Sequence, residues 1–181
     1  AFVFIGEIYA KYVGYVLLRS NIDVYSFIAI VESIFYGYFF YTITINKIPK
    51  KIIFIFSIIN ISVSIISFFL ISYNPSYLFT NLMFLSICFS FISLTYIYSK
   101  FVSDEAANLL GEPGFWVAFG VALFFSGVSV VFSLHDFSVR HNLTLLGFKL
   151  YHIVPQSLCV LLYLSISTAI ILCKKKARIS L

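Results

Sequence analysis

Charge is what this sequence has least of. Asp, Glu, Lys and Arg together supply 10% of its 181 residues, against about 25% in an ordinary soluble domain. So few charged groups cannot cover a water-facing surface, which excludes a soluble globular domain of this length. Cysteine is sparse as well: Cys88, Cys159 and Cys173 are scattered through apolar sequence with no Cys-x-x-Cys spacing. That excludes a disulfide framework and leaves the three as small packing residues. Gly-x-Ser-x-Gly, a phosphate-binding glycine loop and a dinucleotide fingerprint are also missing. Nucleophilic hydrolysis and nucleotide chemistry therefore have no signature here, and enzyme is the minority class.

What the sequence has in abundance is grease. Hydrophobic residues make up 61% and aromatics 20%, with a mean hydropathy of +1.03. Several apolar runs reach the roughly 20 residues needed to cross a bilayer core of about 30 Å. The expected fold is an all-α membrane protein, a single transmembrane helix bundle with six spans at about 1–18, 24–45, 52–72, 77–98, 115–134 and 148–173. A short interfacial helix is expected at about 104–110, capped by Ser103 and closed by Gly111. The segment 46–51 reads as a basic loop, 135–147 as a polar loop and 174–178 as a basic tail. The chain begins without methionine, directly in apolar sequence, so a longer protein is expected around it.

The most informative stretch is Gly111-Glu112-Pro113-Gly114-Phe115-Trp116 and the run behind it. Glu112 is placed to cap a helix, Pro113 suits the first helical position, and Trp116 marks the headgroup level. Within that span Ala118, Ala122, Ser126 and Ser129 fall along one face and Gly120 and Gly127 along another. Small residues of this kind let a neighbouring helix approach closely in lipid.

The net charge of +5 does not point to nucleic acid, because the basic residues sit at the ends of apolar runs. Lys47, Lys50, Lys51, Lys100, Lys174, Lys175, Lys176 and Arg178 fall on one side of the alternating topology, and Arg19, Arg140 and Lys149 on the other. The richer side is expected to be cytoplasmic, with the C-terminus inside and residue 1 near the inner face.

Ionisable groups inside spans are costly and usually face the bundle interior. Glu7 and Lys11 are one helical turn apart in the favourable acid-first order, a pair that eases insertion. Glu32 has no basic residue within a turn on either side. Counted along their helices, Glu7, Lys11, Glu32 and Gln156 share the outer half of the membrane, with Tyr36 near Glu32 and His152 near the outer surface. A polar cluster there serves either as a ligand or ion pocket or as a packing network. Ser57, Asn60, Ser64 and Ser67 form a stripe on one face, and Asn81, Cys88 and Thr95 repeat by sevens. Interhelical hydrogen bonds account for both. His135, His141 and His152 all lie at the outer end of the last two spans and are weak metal candidates with Asp136. Their irregular spacing lacks the helix-borne pairing of zinc sites and of ceramidase-type membrane hydrolases. No interior lysine in the last span is available for a retinal Schiff base. No cofactor is implied.

Three patterns together carry a likeness: Glu112-Pro113-Gly114-Phe115-Trp116 running on to Gly127, Val31-Glu32 followed by aromatics, and Leu150-Tyr151-His152 with Gln156. They resemble a group of small, functionally uncharacterised polytopic inner-membrane proteins of Gram-negative bacteria. Members of that group show an acidic residue in an early span, an acidic residue or Asn before Pro-x-Phe-Trp, and His with an amide in the last span. Gln156 stands where an earlier amide is usual, and Gly114 where a larger residue is common. The resemblance implies a seventh span upstream of Ala1, with the N-terminus outside, and supplies no activity.

Functionally, a chain that is nearly all membrane and has short loops suits a non-enzymatic module. The expectation is a sensor-like receptor or an accessory subunit in contact with the bilayer and with other membrane-protein chains, its polar pocket in the outer half. The alternative is a small transporter or channel using Glu32, Glu7 and Lys11, and a third is a metal-dependent membrane hydrolase.

Overall fold

The computed structural model describes residues 6, 8–10, 12–16, 21–71, 74, 76–102, 109–145 and 147–179. Among the described residues, five helices are long and apolar enough to cross a membrane: α1 (Ile22–Ile43), α2 (Lys47–Ile71), α3 (Ser76–Phe101), α4 (Pro113–Ser133) and α6 (Leu150–Ile179). The short α5 (His135–Arg140) lies between α4 and α6. Before α1, residues 6 and 8–10 are helical and Tyr12–Val16 form a π-helical turn. The remainder of the expected first span, including Glu7 and Lys11, lies outside the described residues, as do residues 103–108 of the expected interfacial helix.

The spans run up and down. α1 packs on α2, α2 on α3, α3 on α4 and α4 on α6, with α1 also touching α3. At the centre lies an aromatic spine. The Tyr36 ring meets Phe89 at 5.2 Å and Phe125 at 5.8 Å, Phe89 meets Phe125 at 4.7 Å, and Phe40 meets Tyr96 at 5.9 Å. These edge-on and tilted contacts tie α1, α3 and α4 together, each adding about 0.5–1.5 kcal/mol beyond area burial. Sequence periodicity does not reveal this core, because apolar residues run round the circumference of each span and the buried aromatics have no period of their own.

Three stretches differ from the expectation. The basic segment after Asn46 is the first turn of α2, which starts at Lys47; Pro49 falls within that turn, where its missing N–H breaks no helical bond. The polar loop holds α5 and a two-residue antiparallel ladder, Thr144–Leu145 with Phe148–Lys149. Gly147, at φ +81°, turns that ladder in a conformation that strains any L side chain. The basic tail is helical, since α6 continues to Ile179. Lys and Arg are good helix formers and complement the negative end of the dipole.

The register of α6 against α4 follows from two close approaches. Gly120 faces Ser165, and Gly127 faces Leu158. Continuing along the antiparallel pair sets Pro113 beside Leu172, so Cys173–Ile179 projects about 10 Å beyond the start of α4.

Candidate functional site

The tightest polar cluster in the described structure lies at the end of the bundle that carries Lys47, Lys50 and Lys51. Lys100, in the last turn of α3, puts its Nζ 2.8 Å from Glu112 Oε1. The two side chains are 7% and 24% exposed, so this ion pair is largely withdrawn from solvent. The hydroxyl of Tyr96, one turn before Lys100, donates to the same Oε1 at 3.2 Å. Glu112 does stand at the N-cap position of α4, with extended backbone and Pro113 following. Its side chain makes no cap hydrogen bond. The carboxylate reaches sideways to α3 instead, where a charged partner offers more than a backbone N–H. Gly114 makes room for this arrangement: a Cβ there meets the Tyr96 hydroxyl. Gly114→Ala should therefore displace that hydroxyl and cost about 1 kcal/mol through the lost hydrogen bond, read as a drop in unfolding free energy that is absent in a Tyr96→Phe background.

The same end is tied twice more. Asn46 Nδ2 donates to the Ser99 carbonyl at 3.1 Å, joining the α1–α2 turn to α3. Trp116 Nε1 donates to the Leu110 carbonyl at 2.8 Å, folding the connector back on α4. None of this shows in local sequence spacing. Lys100 and Glu112 lie in different helices, and the only available signal is opposite charge at the two ends of one connector.

Glu32 and Tyr36 lie one turn apart on α1, Tyr36 buried and Glu32 partly so. Glu32 one turn away on α1, and Tyr163 and Cys159 on α6, are the charged or ionisable groups nearest the Tyr36 hydroxyl. Because α1 starts at Ile22, Glu32 is about 15 Å along the helix, close to mid-membrane. Cys159 and Tyr163 carry no motif and were not singled out by sequence. Gln156 is exposed on α6, Lys11 lies outside the described residues, and so does the side chain of His152. Of the expected cluster, Glu32 and Tyr36 lie together on one face of α1 among the described residues.

The histidines do not converge among the described groups. His135 packs edge-on against Tyr151 at 5.3 Å and His141 tilts over Phe137 at 4.4 Å. Among the described residues no group of three His, Cys, Asp or Glu is placed to hold a metal.

The small residues of α4 separate by face. Ala118, Gly120 and Ala122 are buried, Gly127 is half-buried and Ser126 is exposed. A row stepped by four drifts about 40° per step, so two steps carry Ser126 about 80° away from Ala118. Its hydroxyl bonds back to the Ala122 carbonyl at 2.6 Å. Gly120 lies against Ser165, whose Cβ is 2.7 Å from where a Gly120 Cβ would stand.

Comparison with protein families, curated proteins and solved structures finds no match to this chain. The fold itself defines the class: a polytopic, all-α integral membrane protein built of apolar helices long enough to contact lipid along their length.

Proposed function

We propose that the chain is a non-enzymatic integral membrane module, an accessory subunit or sensor-like receptor of a membrane complex, that engages its partner through the open side of α6. The observation that carries this is the uneven covering of the spans. Only 17% of the spanning window of α6 is buried, against 44% for α3, and among the described residues α4 is the one long helix that packs extensively on it. The open side of α6 is not uniformly greasy: Gln156, Tyr163 and Ser167 are exposed there. Polar groups facing a bilayer gain from a second helix that offers hydrogen bonds, typically about 0.6–2 kcal/mol each. On α1, Glu32 is a partly buried ionisable group at mid-depth, a feature that in membranes marks a binding or coupling site. Basic residues gathered at one end support a cytoplasmic C-terminus, and the sequence resemblance implies a bacterial inner membrane.

Site-specific photo-crosslinking in native membranes tests this. A benzophenone side chain at position 167 should give a discrete protein adduct, while one at Phe54, on the exposed face of α2, should give lipid adducts only. Lipid adducts alone at position 167 sink the docking surface.

A further inference from the structure

Between α1, α2 and α3 runs a seam of small polar side chains that neither the open side of α6 nor the basic-end cluster uses. From α2 it takes Ser57, Asn60 and Ser64 and from α1 Ser33; on α3, Cys88 and, two turns along the same face, Asn81 are buried as well. Two points fix α1 against α2. The Ser33 and Ser64 hydroxyls lie 3.4 Å apart, and Gly37 lies so close to Ser57 that a Cβ would stand 2.7 Å from its Oγ. Asn60 sits between these points, three residues after Ser57 and four before Ser64, and is 0% exposed. Phe56 and Phe91 meet at 4.5 Å, so one turn further along the antiparallel α2–α3 pair Asn60 comes level with Cys88.

The hydrogen-bond inventory of this seam is unbalanced. Ser33 donates to the Ala29 carbonyl at 2.8 Å and Ser57 to the Ile53 carbonyl at 2.7 Å. With its proton so used, Ser33 accepts from Ser64. What the serines offer is therefore chiefly lone pairs. Asn60 brings two N–H donors and a carbonyl, and both its polar atoms are buried with no hydrogen-bond partner among the described residues. The same holds for Asn81, which is 2% exposed and lies seven residues before Cys88 on its face of α3. An amide left so in a low-dielectric interior is expensive, and a bridging group able both to donate and to accept removes the cost.

We infer that the α1–α2–α3 seam is a binding site for internal water, held at mid-membrane by the Asn60 amide and continued by Asn81. The chemistry selects the ligand. A cation needs carboxylates or several carbonyls, and an anion needs positive charge. The residues named here are all neutral, and they match a small neutral molecule that gives and takes hydrogen bonds, with two or more polar partners to hold it. The seam is distinct from the open side of α6, so its test does not depend on the docking surface.

Radiolytic labelling of the full chain in lipid nanodiscs tests the site, because hydroxyl radicals formed from bound water oxidise only their neighbours. Cys88 is the internal reporter and Cys173, exposed at the end of α6, the bulk reporter. With a radical scavenger in the buffer, Cys173 should be protected while Cys88 still gains oxygen. Asn60→Leu should abolish the Cys88 signal and leave the melting temperature unchanged or lower. Absence of scavenger-resistant oxidation at Cys88 in the wild-type protein overturns the inference without any variant. So does a Cys88 signal that persists in Asn60→Leu, or a rise in melting temperature that reveals a dry, orphaned amide.

Discussion

Replacing Glu112 by Leu is expected to lower the unfolding free energy by about 3 kcal/mol, the low end of what removing one member of a buried ion pair costs. The low end applies because Glu112 keeps 24% of its side chain exposed while Lys100 keeps 7%. The loss falls on Lys100, which surrenders its 2.8 Å contact with that carboxylate. Tyr96, wholly buried, loses the same acceptor. Adding Lys100→Met to Glu112→Leu should recover most of the stability, since an apolar pair of similar volume need not be desolvated as ions. Chemical unfolding in detergent of the wild type, both single variants and the double variant gives the coupling free energy. A coupling near zero rejects the clasp and makes the contact an incidental surface pair.

The second large effect is expected where α4 meets α6. Gly120→Leu should cost at least the 1–3 kcal/mol typical of overpacking, and Gly127→Leu less. The ranking follows from what each new side chain strikes. At Gly120 the nearest atom is Ser165 Cβ, one bond from the α6 backbone, so the helix itself must move. At Gly127 it is a terminal methyl of Leu158, which can rotate aside. Unfolding midpoints of the two variants measure this directly. The reverse order would mean that α6 is held by its first turns and not by the approach at Gly120.

The spans themselves are legible in the sequence because twenty consecutive apolar residues have few other uses. Their ends are less so, and the reasons differ from case to case. Pro49 and three lysines look like a loop, yet proline is harmless in a first turn and lysine favours a helix, so α2 begins at Lys47. Lys174–Lys176 look like a frayed tail and are helical for the same reason. The interior was hidden by uniform greasiness. Which faces of α1 and α3 meet is decided by Tyr36, Phe89 and Phe125 packing in three dimensions, not by a period along one helix. As for polar groups, the serine stripe of α2 was visible because it lies on one helix at regular spacing. The Lys100–Glu112 clasp was invisible because its members belong to two helices and its acid sits where a cap was expected.

The overhang of α6 past the start of α4 gives the bundle a stiff cationic arm. Lys174, Lys175 and Lys176 are consecutive in a helix, so they point about 100° apart and cover more than half of its circumference. A loose tail lays its charges flat on whatever attracts them. A helical stub cannot, and no flat surface meets all three lysines at once. With that end at an anionic membrane surface, the arm would form a collar of positive charge at a fixed height above the hydrocarbon, each lysine near the surface worth about 1 kcal/mol. Height is then the quantity the protein holds constant: a change in bilayer thickness shifts the collar against the headgroup layer before it disturbs any contact inside the bundle.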